Sequence, residues 1–379
     1  MRPIIRYIVA LFAITTTFAC VRQELEDPYQ YLAHIPIGID WSESLLDMDQ
    51  VGNVSIYFYP KDGSARIEKL SDDLYYNLVE LPIGEYSVLI FNDLINNVSG
   101  VSFNNASTCD QFSVNLMQTD PSTPTFYDLA TGEVLAGAHS RMASWYLDEF
   151  IVDDSMVEYT RSTDFDEYIA TVRSKSSKSN QSDSKGDEGD DEAQGGESSK
   201  SDESDSKSDD ETKSTSKAIE EISNVVPQPV TSIVNVTVRV ENLNNTQTFE
   251  TLLRGTANGS LLAANTNIAV EGQTHLYHTI VANRSYDDPD NGIDGTVTFS
   301  HNTFGREPTD ESYSITFEIL LQSGKLCEFE RDVTDQVVSQ DGKIIEIDLT
   351  GDDELITLPE YSEAGFNVGD WDNDVQVYL

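Results

Sequence analysis

Histidine and cysteine are scarce: the 379 residues hold five of the first and three of the second, scattered along the chain. Metal cages and nucleophile–base pairs draw on these side chains, and no Gly-x-Ser-x-Gly, His-Glu-x-x-His or phosphate-loop pattern occurs. Positive charge is short as well. Only 23 Lys and Arg stand against 67 Asp and Glu, a formal charge of −44 that repels nucleic acid and anionic lipid surfaces. No apolar run reaches the roughly 20 residues that a membrane-spanning helix needs. Trp41, Trp145 and Trp371 are well separated, so the chain lacks the Trp-rich segments that stack sugar rings. Paired carboxylates for glycoside hydrolysis are compatible with so acidic a chain, but no pair stands out. Composition and motifs name no activity. What is present is 15 Phe and 17 Tyr, enough to fill compact cores, in a length that suits two or three domains.

The opening, MRPIIRYIVALFAITTTFAC, places Arg2 and Arg6 before thirteen uncharged residues from Tyr7 to Ala19. That run is too short to span a bilayer and fits the apolar region of a signal peptide. Phe18-Ala19-Cys20 resembles the lipobox of bacterial lipoproteins, in which cleavage precedes a Cys whose thiol carries diacylglycerol; Thr17 stands where that motif usually has Leu. Cys20 is therefore the expected lipid attachment, and a plain secretory signal with an incidental Cys is the alternative. Each buried acyl methylene contributes about 0.8 kcal/mol, so two or three chains hold a protein to a membrane durably. Glu24, Glu26 and Asp27 follow, and such an acidic stretch resembles the surface-export signal of Bacteroidetes lipoproteins. An acidic chain also carries acids everywhere. Cys109 and Cys327 then remain as ordinary thiols, expected buried or free, with one inter-domain bridge as the other option.

From Arg173 to Lys217 there is no Leu, Ile, Val, Met, Phe, Tyr or Trp. With no apolar area to bury, such a segment cannot offset the entropy of ordering and is expected to be a disordered spacer. Its 13 acidic and 8 basic residues account for only about −5 of the charge, so the acidity belongs mainly to the folded parts.

On both sides of the spacer the dominant period is two. Val54, Ile56 and Phe58 alternate with Ser55, Tyr57 and Tyr59, and Gly84 to Phe91 is β-prone and apolar on both faces, as an inner strand would be. Further on, Val234, Val236, Val238 and Val240 alternate with polar residues, as do Ile315, Phe317, Ile319 and Leu321, and Ile345, Ile347 and Leu349. Alternation of this kind marks antiparallel strands with one buried face. Asn258-Gly259, Asn291-Gly292, Ser323-Gly324 and Asp341-Gly342 supply turns. Helical signals are sparse; Ser42 to Gln50 and Thr248 to Arg254 are the candidates. Val375 to Leu379 reads as a strand paired into a sheet.

Candidates for chemistry are weak. His275 and His278 lie three apart in a strand and point to opposite faces, so they do not share a metal without a bulge. Asp287 to Asp294 is similar in composition to a calcium loop but breaks its spacing and lacks the closing Glu. Asp370, Asp372 and Asp374 alternate but run into Val375 rather than a Gly turn. Acidic hairpin turns are the simpler reading, with structural calcium as the other.

Several segments together resemble the fimbrial-anchor and fimbrillin-like lipoproteins of Bacteroidetes, in an uncharacterised branch. They include Ile35-Pro36-Ile37-Gly38-Ile39-Asp40-Trp41, Val54 to Pro60, Leu81-Pro82-Ile83-Gly84-Glu85-Tyr86 onward to Asn92, Gly295-Thr296-Val297-Thr298-Phe299 and Gly365-Phe366-Asn367-Val368-Gly369-Asp370-Trp371. The polar insert at 173–217 departs from the compact family pattern. The resemblance implies an all-β chain of two transthyretin-like β-sandwich domains in tandem, joined by a disordered linker. The expected organisation is a signal peptide at 1–19, a lipidated tether at 20–33, sandwiches at 34–172 and 225–379, and the linker at 173–224. It also implies a non-enzymatic outer-membrane lipoprotein exposed at the cell surface. Such a protein anchors or assembles a fimbria-like structure, or adheres, by pairing a strand with a pilin or other surface protein. A glycan-binding accessory lipoprotein of a polysaccharide-uptake system is the rival, and an unrecognised hydrolase a third. Neither nucleic acid, metal nor cofactor is expected.

Overall fold

The computed structural model describes residues 31–119, 127, 129–182, 217–269, 274–288, 292–308, 312–360 and 376–378. Among the described residues the architecture is nearly all β, arranged in five sheets. Leu32–Gly38 and Tyr76–Pro82 pair antiparallel as a two-stranded sheet. It faces a five-stranded sheet in the order Gln228–Pro229, Ala143–Val152, Gly84–Asn92, Val54–Pro60, Ile67–Ser71. Between them Ile35, Ile37, Ile56, Phe58, Val88, Ile90 and Phe150 form a core. The Gly84–Asn92 strand is buried from Tyr86 to Asn92, which is why its sequence is apolar on both faces.

The second half packs a sheet of Arg284–Tyr286, Gly295–Thr303, Ser232–Glu241, Ile344–Leu349 and the short Ile356–Thr357 against a six-stranded sheet. The latter runs Gln376–Tyr378, Leu326–Asp332, Ser314–Leu321, Thr246–Leu253, Thr274–Ile280, Glu133–Ala136. The alternating valines of Ser232–Glu241 and the run Ile315, Phe317, Ile319 and Leu321 meet in this core. Gln376–Tyr378 pairs with Leu326–Glu328, so the C-terminal strand is in a sheet as expected.

The halves are laced together. Glu133–Ala136 leaves the first half and runs parallel to Thr274–Tyr277 at the edge of the six-stranded sheet. Ser113–Leu116 pairs with Gly259–Leu261 in a four-stranded sheet that also holds Val101–Asn104 and Thr266–Ile268. Gln228–Pro229 crosses in the other direction to pair with Ala143–Ser144. One apolar cluster consequently runs from Tyr57, Leu89 and Phe91 through Phe112 and Val114 to Val236, Phe249 and Phe317.

Three readings of local structure change. Thr248 to Arg254 is no helix: it lies largely in the central strand Thr246–Leu253, flanked on both sides and buried from Phe249 to Leu253. Burial on both faces erases the period of two that would have revealed it. Residues 42–50 form turns. Two helices follow the Ala143–Val152 strand, α1 at Asp154–Tyr159 and α2 at Thr163–Ser182. Asp153 caps α1 by accepting from the Met156 N–H at 2.9 Å. Helix α2 occupies 173–182, and 217–222 is helical again with Ile219 and Ile222 buried beside Phe165. An apolar pair three apart anchors that short helix to the first core, so both ends of the span expected to be unstructured are helical. The rest of that span, 183–216, lies outside the described residues.

Candidate interaction edges

Sandwich sheets have edges, and an edge strand presents unpaired N–H and C=O groups to any passing chain. The long edge Ile344–Leu349 is closed by two glutamines. A short helix, α3 (Thr334–Val338), starts after Leu326–Asp332 and places Gln336 and Gln340 one turn apart. The Gln336 amide donates to the Asp348 carbonyl at 3.0 Å and accepts from the Asp348 N–H at 2.8 Å. Gln340 repeats the pattern on Glu346, donating at 2.7 Å and accepting at 2.9 Å. Each side-chain amide thus acts as one residue of a missing strand. Arg306 holds the glutamine segment in place by donating to the carbonyls of Val337, Val338 and Gln340, where a cation also favours the helix terminus. Sequence reading missed these glutamines. The signal was their spacing of four, just ahead of an alternating strand.

Other edges are short or covered. Glu133–Ala136 receives the Thr119 N–H on Leu135 at 2.8 Å, and Glu133 forms an ion pair with Arg254 at 3.1 Å. Val225 bridges Ile39 and donates to the Gly38 carbonyl at 2.8 Å, covering the end of Leu32–Gly38. Pro229 lies on the edge strand Gln228–Pro229 and has no N–H to offer. Two edge strands without such covers among the described residues are Ile67–Ser71 and Tyr76–Pro82. They belong to the facing sheets of the first sandwich and are joined by residues 72–75. Leu70 and Leu78, on these strands, are 47% and 40% exposed. Glu68 and Lys69 add charge of both signs on the first.

Cys20, Glu24, Glu26 and Asp27 lie outside the described residues, as do Asp370, Asp372 and Asp374. His278, His301, Asp287 and Asp294 make contacts within the fold. His278 is buried and its Nε2 lies 3.0 Å from Glu250 Oε2. His301 sits between the hydroxyls of Thr251 and Thr279 at 3.3 and 3.2 Å, and burial holds its pKa down to about 3. In the acidic hairpin, Asp294 accepts from the Asn242 N–H at 2.9 Å and Asp287 pairs with Arg239 at 3.7 Å. Among the described residues no three His, Cys, Asp or Glu side chains converge as a metal site. Cys109 and Cys327 are free and buried, with burial pushing the Cys109 thiol up to about 12 and raising that of Cys327. No described helix is long and apolar enough to cross a membrane.

The sequence profile of a family described as Domain of unknown function (DUF5119) matches residues 19–276. No curated protein matches the chain. Among solved structures, a candidate adhesin from Bacteroides ovatus aligns over 90% of this chain and 98% of its own, at 13% identity and a TM-score of 0.49. The fimbrial anchor protein Mfa2 from Porphyromonas gingivalis aligns over 84% and 90%, at 10% identity and a TM-score of 0.38. A fimbrial assembly protein from Parabacteroides distasonis aligns over 80% and 87%, at 13% identity and a TM-score of 0.28.

Proposed function

We propose that this chain, which belongs to the family described as Domain of unknown function (DUF5119), is a non-enzymatic cell-surface protein whose work is contact. In this reading it is tethered to the outer membrane by acyl chains on Cys20 and directed outward by Glu24, Glu26 and Asp27. It anchors or assembles a fimbria-like structure, or adheres to a surface partner. The observation that carries the reading is the uneven treatment of edges. The Ile344–Leu349 edge is sealed by side chains, while among the described residues Ile67–Ser71 and Tyr76–Pro82 lack such seals and carry exposed leucines. An incoming strand would find backbone groups for affinity there and apolar contacts for specificity.

Two experiments test this. In the first, Cys20→Ala is expressed in the native host. The variant is expected to leave the outer-membrane fraction, and protease applied to intact wild-type cells is expected to degrade the protein. Retention of the variant in the membrane, or protection of the wild type, overturns the tether. In the second, Leu70→Lys and Leu78→Lys are combined, and surface filaments or adherent cells are counted. A loss of roughly ten-fold with an unchanged melting temperature is expected, about 1.4 kcal/mol of contact; unchanged attachment overturns the edge assignment.

A further inference from the structure

A cleft of about 290 Å³ lies where the two halves meet, lined among others by Asp47, Asp93, Ser99, His139, Arg141 and Asn302. Its volume sits near the lower end of small-molecule sites, which begin at roughly 300 Å³. Three features separate it from an ordinary surface hollow.

The first is an uncompensated cation. Arg141 Nε donates to Asn302 Oδ1 at 3.3 Å and Nη1 to the Leu45 carbonyl at 3.3 Å. No ion pair among the described residues includes Arg141, although the chain has 67 carboxylates to offer. The end of its guanidinium fork therefore keeps N–H groups suited to a planar carboxylate. Asn302 also donates to the His139 carbonyl at 3.1 Å, which fixes the amide that orients Arg141.

The second is a pair of carboxylates satisfied only by neutral donors. Asp93 accepts from the Gly52 N–H at 3.2 Å and from Asn92 at 3.3 Å, and Asp47 accepts from Gln50 at 2.6 Å. No cation among the described residues neutralises either one.

The third is a buried acceptor and a strained rim. His139 is 3% exposed and stacked on Phe304; its Nδ1 lies 2.8 Å from the Ser140 carbonyl, and its Nε2 makes no hydrogen bond of good geometry among the described residues. Buried polar atoms are rarely left so, and each one calls for a reason. Leu45, whose carbonyl receives Arg141, has a φ of 58°, a region that bulky side chains avoid and that gathers at ligand sites.

We infer that this cleft binds a small zwitterion carrying a carboxylate and an ammonium group a few bonds apart, as a free α-amino acid does. Arg141 takes the carboxylate, and Asp47 with Asp93 takes the ammonium. One guanidinium beside two carboxylates calls for a ligand that carries charge of both signs. A simple anion would be repelled by a chain of net charge −44, and a simple cation would leave Arg141 unmatched. The inference is independent of the edge assignment, since neither open strand lines the cleft.

The test is titration calorimetry on the purified full-length chain with individual α-amino acids, alongside acetate, methylamine and glucuronate. At least one amino acid is expected to bind, with acetate and methylamine weaker by roughly ten-fold or more. Arg141→Gln is expected to abolish that binding. Because Arg141 also joins the halves, Asp47→Asn on the exposed loop is the companion variant, with a ten-fold loss expected and the melting temperature unmoved. Absence of amino-acid binding at tens of millimolar overturns the site. Binding of glucuronate in preference to every amino acid, or an Asp47→Asn variant that binds as wild type, overturns the zwitterion assignment.

Discussion

Gln336 and Asp348 form a two-way amide pair, the side chain of one donating to the carbonyl and accepting from the N–H of the other. With Gln340 on Glu346, the pair turns a sheet edge into a sheet interior without adding a strand.

Replacing both glutamines by alanine removes five neutral hydrogen bonds, the fifth from Gln340 to the Gln336 carbonyl at 2.8 Å, each contributing about 0.5–1.5 kcal/mol when intact. Water replaces them at the exposed edge, so a loss of about 2 kcal/mol is expected. The amide protons of Glu346 and Asp348 should exchange faster with deuterium, and the variant should self-associate as concentration rises. Unchanged exchange at these two amides would show that the clamp does not protect the edge.

Acid should weaken the fold through two histidines. Burial lowers the pKa of His139 to about 4 and that of His301 to about 3, against an ordinary value near 6.5. Well above pH 6.5 both are neutral, folded or unfolded, and they add no pH dependence. Below it the unfolded chain takes up protons that the folded chain refuses, so stability falls as pH drops toward each folded value. The loss is on the order of 3 kcal/mol for His139 alone by pH 4. Urea midpoints between pH 7 and pH 4 should decline, and His301→Asn should flatten the decline.

Gly259 faces Asn115 across the two halves. A Cβ there would lie 2.2 Å from the Val114 carbonyl oxygen and 2.9 Å from Asn115 Cα, both backbone atoms of the facing strand. Gly259→Ala is expected to cost about 1–3 kcal/mol and to loosen Ser113–Leu116. Chemical denaturation, with amide exchange of Val114 and Asn115, measures both effects.

A chain ended after Ser182 loses Ile219, Ile222 and Val225 from the first core, and the second-half strands that pair with Ser113–Leu116 and Glu133–Ala136. Three buried aliphatic side chains at about 2 kcal/mol each put the loss near 6 kcal/mol before the strand pairing is considered. Such a fragment should unfold at far lower urea than the full chain, if it folds at all. Equal stability of fragment and full chain would contradict the laced core.

The β character was legible because one-sided burial writes alternation into the chain, as in Val234, Val236, Val238 and Val240. The inner strand Gly84–Asn92 was legible from its two apolar faces. Helix α2 was not, since its apolar anchors Phe165, Ile169 and Val172 are confined to its first half. The lacing was invisible for a different reason. Glu133–Ala136, Ser113–Leu116 and Gly259–Leu261 are three or four residues long, too short to carry a period, and no local pattern names a partner more than a hundred residues away. The Arg141 cleft draws on segments far apart in sequence, and the tether at Cys20 rests on sequence alone.

Crossed strands also decide what a protease could do to this molecule. A single cut between 183 and 216 would sever the backbone but none of the pairings that tie Ser113–Leu116, Glu133–Ala136 and Gln228–Pro229 to the opposite half. The two polypeptides would travel as one particle through a sizing column and part only on a denaturing gel, so that maturation by cleavage there would leave the molecule's shape and its grip intact.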